Sequence, residues 1–405
     1  MKKTNGEARG PPGGYLRLKA PEILNQDLED FTSFKNQSMQ LSLKVVKIRI
    51  ITLMFTLLIL CAAGSAQPEP VAKINQSNIS QNYPVLVGGN DSAYNAELQG
   101  FFPQNITIHV GDKVTWKQNT MDIHTVTFTP GMNKTPDLIV PVPGVNGSLM
   151  INPLVAFPAL PAGGMYNGST YANSAVMGPD DTQSKNFSLT FTKSGIYRYI
   201  CVVHAGENMT GRVMVENASA SIPTPQMVSA QAQKELDLLR SQAEPLHAKA
   251  VASSPKPEQN ANGTTTYHVN VGFGQGLVHL EAFFPDKINA HPGDTVVWTL
   301  PKNDMEPHTI TFLNGAREPE LFLPEIQPQG PPRIIFNPQV LLPQNMTKAL
   351  TDQGVYSSGF IDPTMEGSHS FTLKIGNNTT GTLQFICLLH DNLNMKGELM
   401  VSKKA

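Results

Sequence analysis

The chain has 405 residues, a formal net charge of -2 and 15% charged residues. It is long enough for two domains of ordinary size, each with its own core, and it lacks the basic excess that would draw it to nucleic acid. Glycine and proline number 32 each, and Val, Ile, Thr and Phe gather in short runs, a composition of many short strands joined by turns. The expected fold class is all-β.

Within the N-terminal extension of residues 1–66, residues 44–66 (KVVKIRIITLMFTLLILCAAGSA) open with basic residues, continue through about a dozen apolar ones and close in small residues, with Gly64 and Ala66 spaced for cleavage. That is the pattern of a secretory signal. Its apolar stretch, Ile50 to Ala63, is short against the roughly 20 residues of a spanning helix. Cleavage is therefore expected, with an uncleaved anchor that keeps the protein near a membrane as the alternative. Met39 would begin a signal of ordinary length, and Leu60 before Cys61 argues against a lipid anchor. The protein is expected outside the cytoplasm, in a periplasm, at the cell surface or in the medium. N-x-S/T sequons at Asn75, Asn78, Asn90, Asn105, Asn146, Asn186, Asn262 and Asn345 fit export. The same residues are also common in the turns of β proteins.

The rest of the chain is organised by an internal repeat. Phe101-Phe102-Pro103 recurs as Phe283-Phe284-Pro285, Gly111-Asp112 as Gly293-Asp294, and Trp116 as Trp298; these are the only two tryptophans. His124-Thr125 matches His308-Thr309, Asn152-Pro153 matches Asn337-Pro338, Tyr171 matches Tyr356, and Cys201 matches Cys387. The two copies are placed at residues 67–217 and 263–405. In the first, residues 105–110, 113–118, 187–191, 196–202 and 212–215 alternate with the two-residue period of half-buried strands. In the second, residues 295–300, 309–312, 370–375, 383–388 and 398–401 do so. Each copy reads as an antiparallel β-sandwich.

Residues 218–262 differ in character. Thr224 is placed to cap a helix, Pro225 suits its first turn, and QMVSAQAQKELDLLRSQA is rich in helix formers. A helix of about 18 residues, near 27 Å long, is expected, followed by a flexible stretch from Ser253 to Gly263, the whole acting as a spacer.

After the signal only Cys201 and Cys387 remain. A disulfide is the ordinary fate of such a pair in an oxidising compartment. Here each cysteine ends the same strand of its own copy, and equivalent strand ends of separate sandwiches rarely meet. Each also heads one pattern: Cys201-x2-His204-x4-Met209 and Cys387-x2-His390-x4-Met395. Thiolate and thioether are soft ligands and imidazole is intermediate, so two His, one Cys and a weak axial Met make a blue-copper set. The loop supplies one histidine, and His124 and His308, each opening an H-T-[VI]-T-F strand, are the candidates for the other.

The segments FFPQNITIHVGDKVTWKQNTMDIHTVTF with YICVVHAGENMTG, and AFFPDKINAHPGDTVVWTLPKNDMEPHTITF with FICLLHDNLNMKG, resemble the cupredoxins of plastocyanin type. The resemblance covers about 60 residues of each copy. It implies two cupredoxin-like Greek-key β-sandwich domains joined by a linker with a helix. It also implies a type 1 copper held by His124, Cys201, His204 and Met209 and a second held by His308, Cys387, His390 and Met395. By the same resemblance His204 and His390 would present an imidazole edge near the surface as the electron port. Two departures stand out. Pro-rich inserts, Pro136 to Pro158 and Pro319 to Pro343, lengthen the His-to-Cys interval, and each is expected to pack as a flap. Thr125 and Thr309 stand where plastocyanins commonly have Asn, which alters the hydrogen bonding near the thiolate.

The function expected is outer-sphere electron transfer between redox protein partners. A two-domain copper oxidase or nitrite reductase would need a further, open copper held by histidines. The sequence has no H-x-H pair, Ile200 and Ile386 precede the cysteines, and His109, His247, His268, His279, His291 and His369 are scattered. Copper storage or delivery would favour Met-rich or His-rich tracts, whereas the methionines are dispersed.

Overall fold

A computed structural model describes residues 80–145, 147–179, 183–363 and 369–404. The proposed signal, Met39, Cys61 and the sequons at Asn75, Asn78 and Asn146 lie outside the described residues. Among the described residues no helix is long and apolar enough to cross a membrane.

The two-residue alternation in the first copy produces two five-stranded sheets. One runs in the order Met165–Tyr166, Asn186–Phe191, Lys113–Gln118, Asn82–Val87, Phe101–Phe102; the other runs Ala172–Asn173, Thr127–Phe128, Gly195–Ile200, Thr210–Glu216, Asn105–His109. Alternate residues of both, among them Val114, Trp116, Leu189, Tyr199 and Val213, meet in one core. Trp116 stands edge-on to Phe128 and Tyr199, an arrangement that aromatic quadrupoles favour. The second copy repeats this around Trp298, which meets Phe312 and Phe385 in the same way. The chain is thus built of two β-sandwiches. Not all pairing is antiparallel, because Asn82–Val87 runs parallel to Lys113–Gln118 and Asn105–His109 parallel to Thr210–Glu216.

The two sandwiches share structure. Strand Ala96–Leu98 of the first copy pairs with Val278–Phe284 of the second, so one sheet of the second domain continues into the first. Around this seam Leu98, Phe102, Leu236, Leu246, Phe273 and Phe284 form a third buried cluster.

The linker is not a spacer, and this corrects the sequence reading. Thr224 does cap a helix, accepting a bond from the Met227 amide, but that helix spans Pro225–Arg240 and a second follows at Ala243–Ala252. Pro245 accounts for the break: in one continuous helix its ring would strike the carbonyl of Ser241, four residues back, whereas in a first turn proline is tolerated. Val228, Ala232 and Leu236, one helical turn apart, bury one face of the first helix, and Ala243, Leu246 and Ala250 do so in the second. The stretch expected to be flexible contains Glu258–Gln259, paired with the strand Thr265–Gln275.

The inserts also join the copies. Ile139–Pro141 and Leu149–Ile151 from one, and Phe322–Glu325 and Arg333–Phe336 from the other, form a single four-stranded sheet in which Ile335 faces Met150. Each insert then enters a short helical turn whose cap is the repeated Asn-Pro. Asn152 accepts from the Leu154 amide and Asn337 from the Gln339 amide, which leaves proline at the position where its missing N–H costs nothing.

Candidate metal centres

In each sandwich the strand ending at Ile200 or Ile386 delivers its cysteine to a tight loop. Cys201 N donates to Met209 O and Cys387 N to Met395 O, both at 3.0 Å, so each loop closes back beside its cysteine. The reversal uses Asn208 and Asn394, both at positive φ (63° and 66°), a conformation asparagine tolerates better than most residues. His124 and His308 arrive from the facing segment, bridged to Met177 and Ile361.

The loops bring the predicted histidine and cysteine ligands together. Cys201 Sγ lies 3.8 Å from His124 Nδ1 and 3.5 Å from His204 Nδ1, and the two Nδ1 atoms are 3.0 Å apart. The second triangle is nearly the same, with 3.8 Å to His308, 3.6 Å to His390 and 3.2 Å between the imidazoles. A point central to either triangle is about 2 Å from all three atoms, near the bond lengths that imidazole and thiolate make to a transition metal. Both triangles are buried, and Met209 and Met395 are fully buried in the adjoining cores. Both cysteines are free thiols, not a disulfide. The donor set of two imidazoles and a thiolate, with a buried methionine on the same loop, suits copper.

The two threonines hold the thiolate side in place. Thr125 N donates to Cys201 Sγ at 3.3 Å, while Thr125 Oγ1 accepts from Val202 N at 2.8 Å. Thr309 does the same for Cys387 Sγ at 3.3 Å and Leu388 N at 2.7 Å. Burial alone would raise the Cys201 thiol, but the His204 and His124 imidazoles outweigh it and bring it down to about 5; Cys387 is held well below the ordinary thiol range for the same reason.

Residues 90–216 match the family of copper binding proteins described as plastocyanin/azurin. Over those residues the chain is similar to that family. The plastocyanin of Sambucus nigra is 26% identical over 131 residues, which make up 32% of this chain and 97% of that relative. Among solved structures, oxidized plastocyanin from Dryopteris crassirhizoma shares 18% identity, with 33% of this chain and 99% of that one covered and a TM-score of 0.20. A reduced amicyanin variant shares 20% identity over 38% and 97% of the two chains, with a TM-score of 0.18.

One expectation is overturned. The loop histidines do not present their edges to solvent: His204 is 1% and His390 6% exposed. Both loops face the interdomain seam. His204 Nε2 lies 3.1 Å from Asp122 Oδ2 and 3.5 Å from Glu306 Oε1 of the other domain. The second loop reaches back, with Asn392 Nδ2 donating to Met121 O. Glu306 N donates to Asp304 Oδ1 at 3.0 Å, and Asp304 Oδ2 lies 3.6 Å from His308 Nε2. A line of close contacts therefore runs from the ligand triangle of one domain to that of the other. A cleft of about 770 Å³ opens beside it, bounded by Met121, Pro307, Asp391 and the insert residues Ile139, Phe322 and Phe336. The inserts thus form a flap that borders both metal loops.

Sequence reasoning missed the buried polar groups of the seam: Glu97, Gln99, His279, Glu281, Asp304 and Glu306, none more than 5% exposed. The repeat held part of the signal, since Asp122 and Glu306 both stand two residues before a ligand histidine, and Gln99 and Glu281 both stand two residues before the Phe-Phe-Pro.

Proposed function

We propose that this chain is a tandem cupredoxin, an exported electron-transfer protein that holds two type 1 coppers per chain. His124, Cys201, His204 and Met209 bind one, and His308, Cys387, His390 and Met395 the other. The observation that carries the reading is the pair of matching, buried His-Cys-His triangles. Copper bound there would supply a one-electron couple. The chain's residues hold the imidazoles and thiolate in a geometry set by the fold, exclude water and so suppress reorganisation. Because His204 abuts Glu306 of the other domain, electrons would pass between the two centres through the seam, with redox protein partners docking at the cleft by the Asp391 loop. The place of action is a periplasm, a cell surface or the medium, and no nucleic acid is a partner.

The test is to purify residues 67–405, load copper, and combine metal analysis with optical and EPR spectra. Two coppers per chain, each with an intense thiolate-to-copper band, support the proposal. A further copper with a type 2 EPR signal, together with turnover of oxygen or nitrite, would instead establish the oxidase or reductase reading.

A further inference from the structure

The two ligand triangles are alike, but what faces them is not. Glu281, on the strand Val278–Phe284, is 2% exposed. Its Oε2 lies 3.0 Å from His390 Nδ1 and 3.8 Å from His308 Nδ1, the two nitrogen atoms of the second triangle. In the first domain the matching residue is Gln99, whose amide instead donates to Glu306. The carboxylates that reach the first domain's loop histidine, those of Asp122 and Glu306, meet its Nε2 rather than its Nδ1.

We infer that Glu281 is an additional, carboxylate ligand to the metal of the second centre and that the two centres of this chain are therefore electronically different. The inference rests on the copper reading above. Glu281 Oε2 makes no hydrogen bond among the described residues, although His390 Nδ1 lies only 3.0 Å away. It is a buried carboxylate oxygen aimed at the pair of nitrogens that a metal would take. A buried carboxylate oxygen without a partner is costly, and coordination removes that cost. The sheet continuation through Ala96–Leu98 holds the strand in place, since Glu281 N donates to Asn95 O at 2.7 Å. Domain docking therefore fixes the ligand's position.

An anionic oxygen donor favours Cu(II) over Cu(I) and draws the site from trigonal toward tetragonal geometry. The experiment uses the full chain with one thiolate removed at a time: Cys201→Ala leaves the second centre to be read alone, and Cys387→Ala leaves the first. In the Cys201→Ala chain the shorter-wavelength thiolate-to-copper band should be stronger, relative to the long-wavelength one, than in the Cys387→Ala chain, and the EPR signal more rhombic. Adding Glu281→Gln should move that spectrum toward the first centre's and shift the Cu(II)/Cu(I) equilibrium at least tenfold toward Cu(I), or about 59 mV for one electron. X-ray absorption, which needs no change at Glu281, should show one more nitrogen-or-oxygen scatterer in the first shell of the Cys201→Ala chain than in that of the Cys387→Ala chain. Matching spectra in the two chains and no such scatterer would overturn the inference while leaving the copper reading intact. Failure of either chain to bind copper through its thiolate would count against the copper reading itself.

Discussion

Replacing Thr125 by Val tests whether the hydroxyl beside the thiolate holds the metal loop. Thr125 is fully buried, and its Oγ1 accepts from the Val202 amide at 2.8 Å and from Thr127 Oγ1 at 3.1 Å. Valine keeps the shape and removes the acceptor. Thr127 retains Asn173 Oδ1 at 2.8 Å, so the net loss is one orphaned amide next to Cys201. A buried donor left unmade costs about 1–3 kcal/mol. With a urea m-value of about 3 kcal/mol/M, a cost of about 2 kcal/mol lowers the unfolding midpoint by roughly 0.7 M. The repeat provides an internal replicate, because Thr309→Val orphans the Leu388 amide in the same way. Urea unfolding of the metal-free chain, followed by circular dichroism, reads both. Unchanged midpoints in both variants would refute the claim that these hydroxyls anchor the loops.

Cys201→Ser should remove one copper and its thiolate band while the band of the centre at Cys387 survives, as metal analysis with optical spectra will show. Leu236→Ala, at the buried contact of the linker helix with the seam, should cost about 2–5 kcal/mol, read as a lower thermal midpoint; an unaltered midpoint would mean that the helix is a passive tether. In the metal-free chain, thiolate absorbance should titrate in an acid step near pH 5 for Cys201. A folded-state pKa below the unfolded value of about 8.5 means that this group's stabilisation is complete above that value and is lost as pH falls through about 5. A single step near pH 8.5 would contradict the imidazole pairing.

The two His-Cys-His triangles were legible in sequence because residues able to share one metal stand at fixed spacing, and duplication printed that spacing twice. Trp116 and Trp298, or His124 and His308, need no structure to be matched. Packing between the copies was not legible in that way. Met150 facing Ile335 and Leu98 facing Val278 depend on residues that any apolar strand could supply, so nothing in their type names the partner. Pro245 did carry a local rule that divides the linker helix. The buried orientation of His204 followed from none of these signals, since a single domain's pattern says nothing of what covers its loop.

The four-stranded insert sheet bears on how this molecule can be cut. Its two central strands, Leu149–Ile151 and Arg333–Phe336, come from opposite halves of the chain. Pulling the halves apart after scission in the linker would strip both of a neighbour and would also bare Val278–Phe284, leaving each half with raw edges that recruit another strand. The halves should therefore rejoin or aggregate on separation, and a nick between Ser253 and Gly263 should leave the two fragments migrating as one particle.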